Sequence, residues 1–230
     1  MGSHEGLAYA RFSPTGTPRG SILVVHGAGS CKESHFDFAR GARAAGYVAM
    51  TYDQRGHGSS VGPLGGQALD DLATMATLVD VRPLVLRGSS LGGYLALLGA
   101  GPLSAGAVVA ICPASAEMLL RRLRAGDFEM DADRPALEGF LEGHDLDAAV
   151  TRLAAPLLLL HAEGDERVPV GHSAELLNRA RSANKRLIAL PGGHHRSVQH
   201  DGELHGVTLR FIDRALAGGS TAGGATAGGY

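Results

Sequence analysis

The feature that most constrains this chain is the alternation of short, unbroken apolar runs with longer segments of helical periodicity. The runs are residues 21–26 (SILVVH), 47–53 (YVAMTYD), 83–87 (PLVLR), 107–111 (AVVAI), 157–161 (LLLLH) and 186–190 (RLIAL). None alternates apolar with polar side chains, so each implies a strand covered on both faces, as in a parallel sheet flanked by helices. Between them Leu72, Met75, Ala76 and Val79 form one helical stripe, Leu91, Tyr94, Leu95 and Leu98 a second, and Leu204, Val207 and Phe211 a third. Six strands with intervening helices predict an α/β fold with a doubly wound, mostly parallel sheet, to which residues 7–13 add an antiparallel edge. At 230 residues the chain can bury such a core in a single domain, expected over residues 5–217. Residues 1–4 are set aside from this reading. Residues 218–230 (GGSTAGGATAGGY) are expected to be disordered, because they offer too little apolar surface to order themselves.

In such sheets chemistry gathers beyond the carboxyl ends of the strands. That is where the polar and glycine-rich segments fall: residues 27–30, 53–60 (DQRGHGSS), the pair Ser89 and Ser90, residues 163–165 and residues 192–195. Gly88, Ser90 and Gly92 read Gly-x-Ser-x-Gly between a strand and a helix, a pattern that makes a sharp turn exposing its central serine. Ser90 is therefore the candidate nucleophile and Ser89 a spacer; the bland reading is a glycine-rich turn that only packs closely. A serine hydroxyl needs a base to take its proton and an acid to orient that base. The order serine, acid, histidine is met by Asp165 in HAEGDERVP and by His194 and His195 in LPGGHHRS, each just after an expected strand. Glu163, Glu166 and Glu117 are alternative acids, and Asp165 in a Glu-Gly-Asp-Glu turn could also be a turn residue.

Four segments together, His26-Gly27-Ala28-Gly29, residues 53–60, Gly88-Ser89-Ser90-Leu91-Gly92, and Gly164-Asp165 with Gly192-Gly193-His194-His195, make the chain resemble the α/β-hydrolase family over residues 20–215. The resemblance implies the α/β-hydrolase fold, a Ser90 nucleophile, an Asp165 orienter, a histidine base, and an oxyanion hole from the amides of Ala28 and Leu91. The family's Pro-Gly-x-x-His pattern, counted from Pro191 and Gly192, places the base at His195, with His194 the alternative because Gly193 frees the loop. It also places a short helical cap at residues 116–155. There Met118, Leu119, Phe128 and Phe140 are expected to bind the substrate's apolar part, while Arg121, Arg122 and Arg124 read as a solvated helix face. The histidines at 26 and 57 are expected to hold their glycine-rich loops together by hydrogen bonds.

The remaining composition excludes more than it suggests. A formal net charge of −2, from 21 basic and 23 acidic residues, makes no case for a nucleic acid or anionic membrane partner. No apolar run approaches the roughly 18 residues of a membrane helix. Cys31 and Cys112 lack Cys-x-x-Cys spacing and read as free thiols of a reducing cytoplasm. Gly56, Gly58 and Gly62 approximate a dinucleotide fingerprint with one residue too many, and His194, His195, His200 and His205 have no metal-ligand spacing, so neither cofactor nor metal is expected. The expected function is a serine hydrolase cleaving short to medium acyl carboxylic esters, with a small-molecule ester as its partner. The alternatives are a peptidase or acyl-CoA thioesterase and, from another class, a slow-turnover ligand-binding receptor on the same fold. Oligomeric state is not constrained.

Overall fold

A computed structural model describes residues 1–219. The strands are β1 (Gly2–His4), β2 (Leu7–Phe12), β3 (Ser21–Val25), β4 (Val48–Tyr52), β5 (Leu84–Ser89), β6 (Ala107–Ile111), β7 (Leu157–Ala162) and β8 (Lys185–Leu190). They form one sheet in the order β1-β2-β4-β3-β5-β6-β7-β8, parallel from β4 to β8. Every residue of β3 to β7 is buried, which is what unbroken apolar runs require, whereas β8 is a half-exposed edge. All six runs become strands, with ends within two residues of the sequence reading.

The N-terminal edge differs from expectation. β2 pairs antiparallel with β4, but it is not the outer strand: Gly2 lies opposite Tyr9 and His4 opposite Leu7. The physical reason is the intervening pair Glu5 and Gly6, whose positive φ values of 49° and 81° make the two-residue turn that a tight hairpin needs. Backbone pairing at an edge requires no apolar pattern, so residues 2–4 carry little sequence signal.

Helices cover both faces. On one, α1 (Phe36–Ala44) and α8 (Gly202–Gly219) bury Phe38, Ala42, Ile212 and Ala215 against Val24, Val109 and Leu158. On the other, α2 (Ala68–Val79), α3 (Leu91–Gly99) and α7 (Val170–Arg179) bury Leu72, Met75, Leu95 and Leu176 against Leu23, Leu86 and Leu159. α8 takes in Gly218 and Gly219, the first two residues of the expected disordered tail; the rest of that tail, 220–230, lies outside the described residues. No helix among the described residues is long and apolar enough to cross a membrane.

The cap region consists of α4 (Ala116–Ala125), α5 (Arg134–Gly143) and α6 (Leu146–Arg152). Each begins on a polar side chain that accepts an otherwise orphaned amide: Ser115 from Met118, Asp133 from Ala136 and Asp145 from Ala148. Gly126, at φ 77°, ends α4 in the left-handed conformation. Leu119, Leu123, Leu137 and Phe140 join the same core as α3, so the cap is packed down on the sheet.

Backbone approaches backbone closely where β5 turns into α3. A Cβ on Gly88 would run into the backbone of Gly92, and one on Gly92 into the carbonyls of Val25 and His26 at the end of β3. Gly92→Ala should therefore cost more than about 3 kcal/mol, as overpacking against backbone does. A Cβ on Gly171, in the first turn of α7, meets nothing within 4 Å. Gly171→Ala should be neutral or slightly stabilising. Urea unfolding of both variants checks the pair, and equal midpoints would contradict the close packing.

Candidate active site

Ser90 occupies a backbone conformation that L residues rarely adopt, with φ 53° and ψ −116°. Such strain persists only where the surroundings over-determine it. Here the Ser90 N–H donates to the Ile111 carbonyl at 2.9 Å, and its own carbonyl accepts from Tyr94 at 3.0 Å and from Ala114 at 3.3 Å. The turn is thereby tied to β6, to α3 and to the segment after β6. Ser90 and His195 line one small cavity of about 20 Å³, close to the room for one water, whose wall also includes Ala28 and Gln199.

Asp165 and His195 arrive from the loops after β7 and β8. Asp165 Oδ1 accepts the amides of Arg167 at 2.8 Å and Val168 at 2.9 Å. Its Oδ2 lies 2.7 Å from His195 Nδ1 and 3.3 Å from His161 Nε2. Burial alone would raise the Asp165 pKa, but the hydrogen bonds from His161, His195 and the two amides hold it well below the carboxylate range. Asp165 is therefore an anion held by four donors. With that anion on Nδ1, the His195 imidazole carries its proton there and leaves Nε2 as the basic nitrogen. The His195 amide donates to Glu166 Oε2 at 3.1 Å, and Gly192 and Gly193, at φ 68° and 73°, make the turn that delivers it. His194 is exposed, and its Nδ1 only accepts the Arg196 amide. Of the two adjacent histidines the structure thus brings His195, not His194, to Asp165.

The loops after β3 and β4 are fastened to each other under the cavity. His26 Nε2 accepts the Gln54 amide at 3.0 Å, and His57 Nε2 accepts the Gly29 amide at 3.1 Å. Asp53 receives the Lys32 amide and ammonium, both at 2.7 Å, and the Ser59 amide at 2.8 Å. Burial works against an ionised Asp53, yet the Lys32 ammonium and the amides hold its pKa below the usual value. The Ala28 and Leu91 amides have no hydrogen-bond acceptor among the described residues; Leu91 is the first residue of α3, where no intrahelical acceptor exists.

The four apolar cap residues do not line the Ser90 cavity. Leu119 and Phe140 are core residues, Met118 borders a separate groove of about 590 Å³ between the cap and α7, and Phe128 lies beneath the Arg122 guanidinium. Two features escape a reading of the sequence. His161 is fully buried, fixed by Val168 O at 2.9 Å and Ser173 Oγ at 2.7 Å, and supports Asp165 from behind. Arg122, Arg167 and Arg196 surround the cavity. Cys112, Asp165 and His195 each bring one potential ligand atom within 4.8 Å of the others. Burial pushes the Cys112 thiol far up, so it stays protonated, and Asp165 and His195 already bond each other, which does not suit a metal.

Residues 16–122 match a family model described as serine aminopeptidase, S33. The chain is 30% identical over 186 residues to the uncharacterized protein YfhR of Escherichia coli O157:H7, covering 76% of this chain and 62% of that protein. It thus spans less than two thirds of that relative's length. It is 26% identical to the monoacylglycerol lipase of Mycolicibacterium smegmatis, covering 82% of this chain and 85% of that one. Among solved structures, the monoacylglycerol lipase of Paleococcus ferrophilus superposes with a TM-score of 0.72 at 21% identity, covering 92% of this chain and 98% of that one. Est1E from Butyrivibrio proteoclasticus, solved with ferulic acid, also gives a TM-score of 0.72, at 19% identity, covering 92% of this chain and 94% of that one.

The buried histidines set an acid limit on the fold. Burial, with the neighbouring His57, lowers the His26 pKa from 6.5 to about 4, and burial lowers those of His57 and His35 as well. The unfolded chain therefore takes up protons that the folded one refuses, so stability is full above about pH 6.5 and falls as pH drops toward 4. At pH 5 His26 alone should cost about 2 kcal/mol relative to pH 7. Urea midpoints measured from pH 8 to pH 5 test this; a flat profile would contradict it.

Proposed function

We propose that this chain, an α/β hydrolase in fold, is a serine hydrolase that cleaves carboxylic esters of short to medium acyl length through an acyl-enzyme. The observation that carries the reading is the 2.7 Å Asp165–His195 bond facing the same cavity as a serine on a strained strand-to-helix turn. In this reading Ser90 Oγ attacks the ester carbonyl while His195 Nε2 takes its proton, and Asp165 stabilises the imidazolium that forms. The Ala28 and Leu91 amides donate to the developing oxyanion, helped by the positive end of α3. His195 then protonates the leaving alcohol, and water, activated by the same nitrogen, releases the acid. Ester substrates are supported by the monoacylglycerol lipase similar over most of both chains. The two cysteines stand unpaired, which supports a cytoplasmic setting.

The aminopeptidase description of the matching family model favours one second reading, amide cleavage by the same triad. Aminoacyl p-nitroanilides tested beside p-nitrophenyl esters separate the two, and faster turnover of the anilides would move the assignment to a peptidase.

Ser90→Ala should abolish labelling by a fluorophosphonate. Ser89→Ala should stay labelled, because Ser89 Oγ is buried without a partner and its removal breaks no hydrogen bond. Asp165→Asn should lower kcat at least about a thousandfold, since it loses the carboxylate that sets the imidazole tautomer. Labelling of folded Ser90→Ala protein, or near-normal turnover by Asp165→Asn, would overturn these roles.

A cavity this small favours short chains. Rates for p-nitrophenyl esters should peak between roughly two and eight acyl carbons, because longer chains find no buried apolar channel. A rate that keeps rising out to roughly sixteen carbons would contradict this.

A further inference from the structure

Three arginines from three separate elements converge on the cavity that holds Ser90 and His195: Arg122 from α4, Arg167 from the loop after Asp165, and Arg196 beside the base. The solvated-face reading holds for the neighbours of Arg122 but not for Arg122 itself. Arg121 pairs with Glu117 at 2.9 Å, and Arg124 pairs with Glu138 and Glu142, all on the outer side of the cap. Arg122 instead donates to the Asp127 carbonyl at 2.7 Å and lies 4.9 Å over the Phe128 ring, with no carboxylate partner among the described residues. The Arg196 guanidinium has no hydrogen bond or ion pair among the described residues. Arg167 has one exposed ion pair, to Glu166 at 3.5 Å, while the other Glu166 oxygen accepts the His195 amide.

The three guanidinium groups feel one another. Burial lowers the Arg122 pKa first, and the charges of Arg167 and Arg196 lower it further, against the opposing pull of Asp127 and Glu129. Those acids and Glu166 are nearby, yet no carboxylate lines the cavity. Its wall is rich in donors and nearly devoid of apolar side chains. An uncharged acyl chain entering it would meet guanidinium groups in place of hydrocarbon, whereas an anion would supply the charged partner that Arg122 and Arg196 do not have among the described residues.

We infer that the substrate is an ester bearing a second, anionic group, seated on Arg122, Arg167 and Arg196 while the ester carbonyl meets Ser90. This rests on the serine-hydrolase reading and narrows it to anionic esters, such as monoesters of short dicarboxylic acids. The anion sits on either the acyl or the alcohol side, and paired substrates distinguish the two. On the acyl side, mono-p-nitrophenyl adipate is compared with p-nitrophenyl hexanoate; on the alcohol side, 4-(butyryloxy)benzoate is compared with phenyl butyrate. In at least one pair the anionic ester should have a kcat/KM at least tenfold higher at low ionic strength, with the advantage shrinking in high salt. Arg122→Gln and Arg196→Gln should each lower that ratio at least fivefold, mainly through KM, whereas Arg121→Gln should leave the ratio as it is. A neutral preference in both pairs, ratios indifferent to Arg122→Gln and Arg196→Gln, or fluorophosphonate labelling of Ser90 with no cleavage of any of the four esters overturns anionic selectivity alone. Absence of both labelling and cleavage overturns the hydrolase reading, and this inference with it.

Discussion

The site depends first on bare backbone meeting bare backbone. Gly88 and Gly92 let the β5–α3 turn come against the carbonyls that end β3, and at that separation the chain between them has one way to pass, through positive φ at Ser90. Three hydrogen bonds on the Ser90 peptide groups then hold a conformation that the residue would not choose. The same approach sets the Ala28 loop beside the start of α3. Two unbonded amides and one serine are thus positioned by the packing of three strands and a helix, with no side-chain contact needed to aim them.

Around that fixed point the other loops are held by Asp53, Lys32, His26, His57 and Asp165, each bonded to a partner. Asp53 and Lys32 form a buried ion pair in which the carboxylate also takes two amides, so removing the Lys32 charge would leave a carboxylate with no cation inside the protein, whereas Lys32 also pairs with Glu33 at 2.8 Å. His26 and His57 serve as neutral acceptors for amides of the opposite loop, a role that protonation ends. Asp165 stands at the junction of two histidines with different duties: His161 faces the interior and fixes the acid, while His195 faces the cavity. The neutral interior and the charged acid are compatible because every lone pair in use has a donor.

Most of the scaffold was legible because a strand buried on both faces must be apolar at every position, and six such runs are plain in the sequence. Ser90 and Asp165 could be found because the turn type and the chain order restrict them. His195 needed the glycine count before it, since adjacent side chains look alike until the turn at Gly192 and Gly193 is built. The edge strand at residues 2–4 and the helices α1 and α7 left weaker traces, because edge pairing and short amphipathic helices use ordinary residues. Arg122 differs from its neighbours for a geometric reason. It sits one residue from Arg121 and two from Arg124, so composition treats the three alike, yet a helix turns about 100° per residue and sets Arg122 on the wall of the Ser90 cavity.

In the serine-hydrolase reading proposed above, the distribution of Ser90, Asp165 and His195 along the chain governs when the protein can act. The Ser90 turn needs only β3, β5 and β6, whereas Asp165 follows β7 and His195 follows β8, both of which join the sheet through long parallel crossovers. A chain leaving the ribosome therefore carries Ser90 through roughly a hundred further residues of synthesis before His195 exists to activate it. Any nascent, truncated or partly unfolded form that lacks the docked β7–β8 edge has a serine but no base. In that reading hydrolytic competence and the docking of β8 arise in the same event, and the growing chain has no activated serine until β8 is in place.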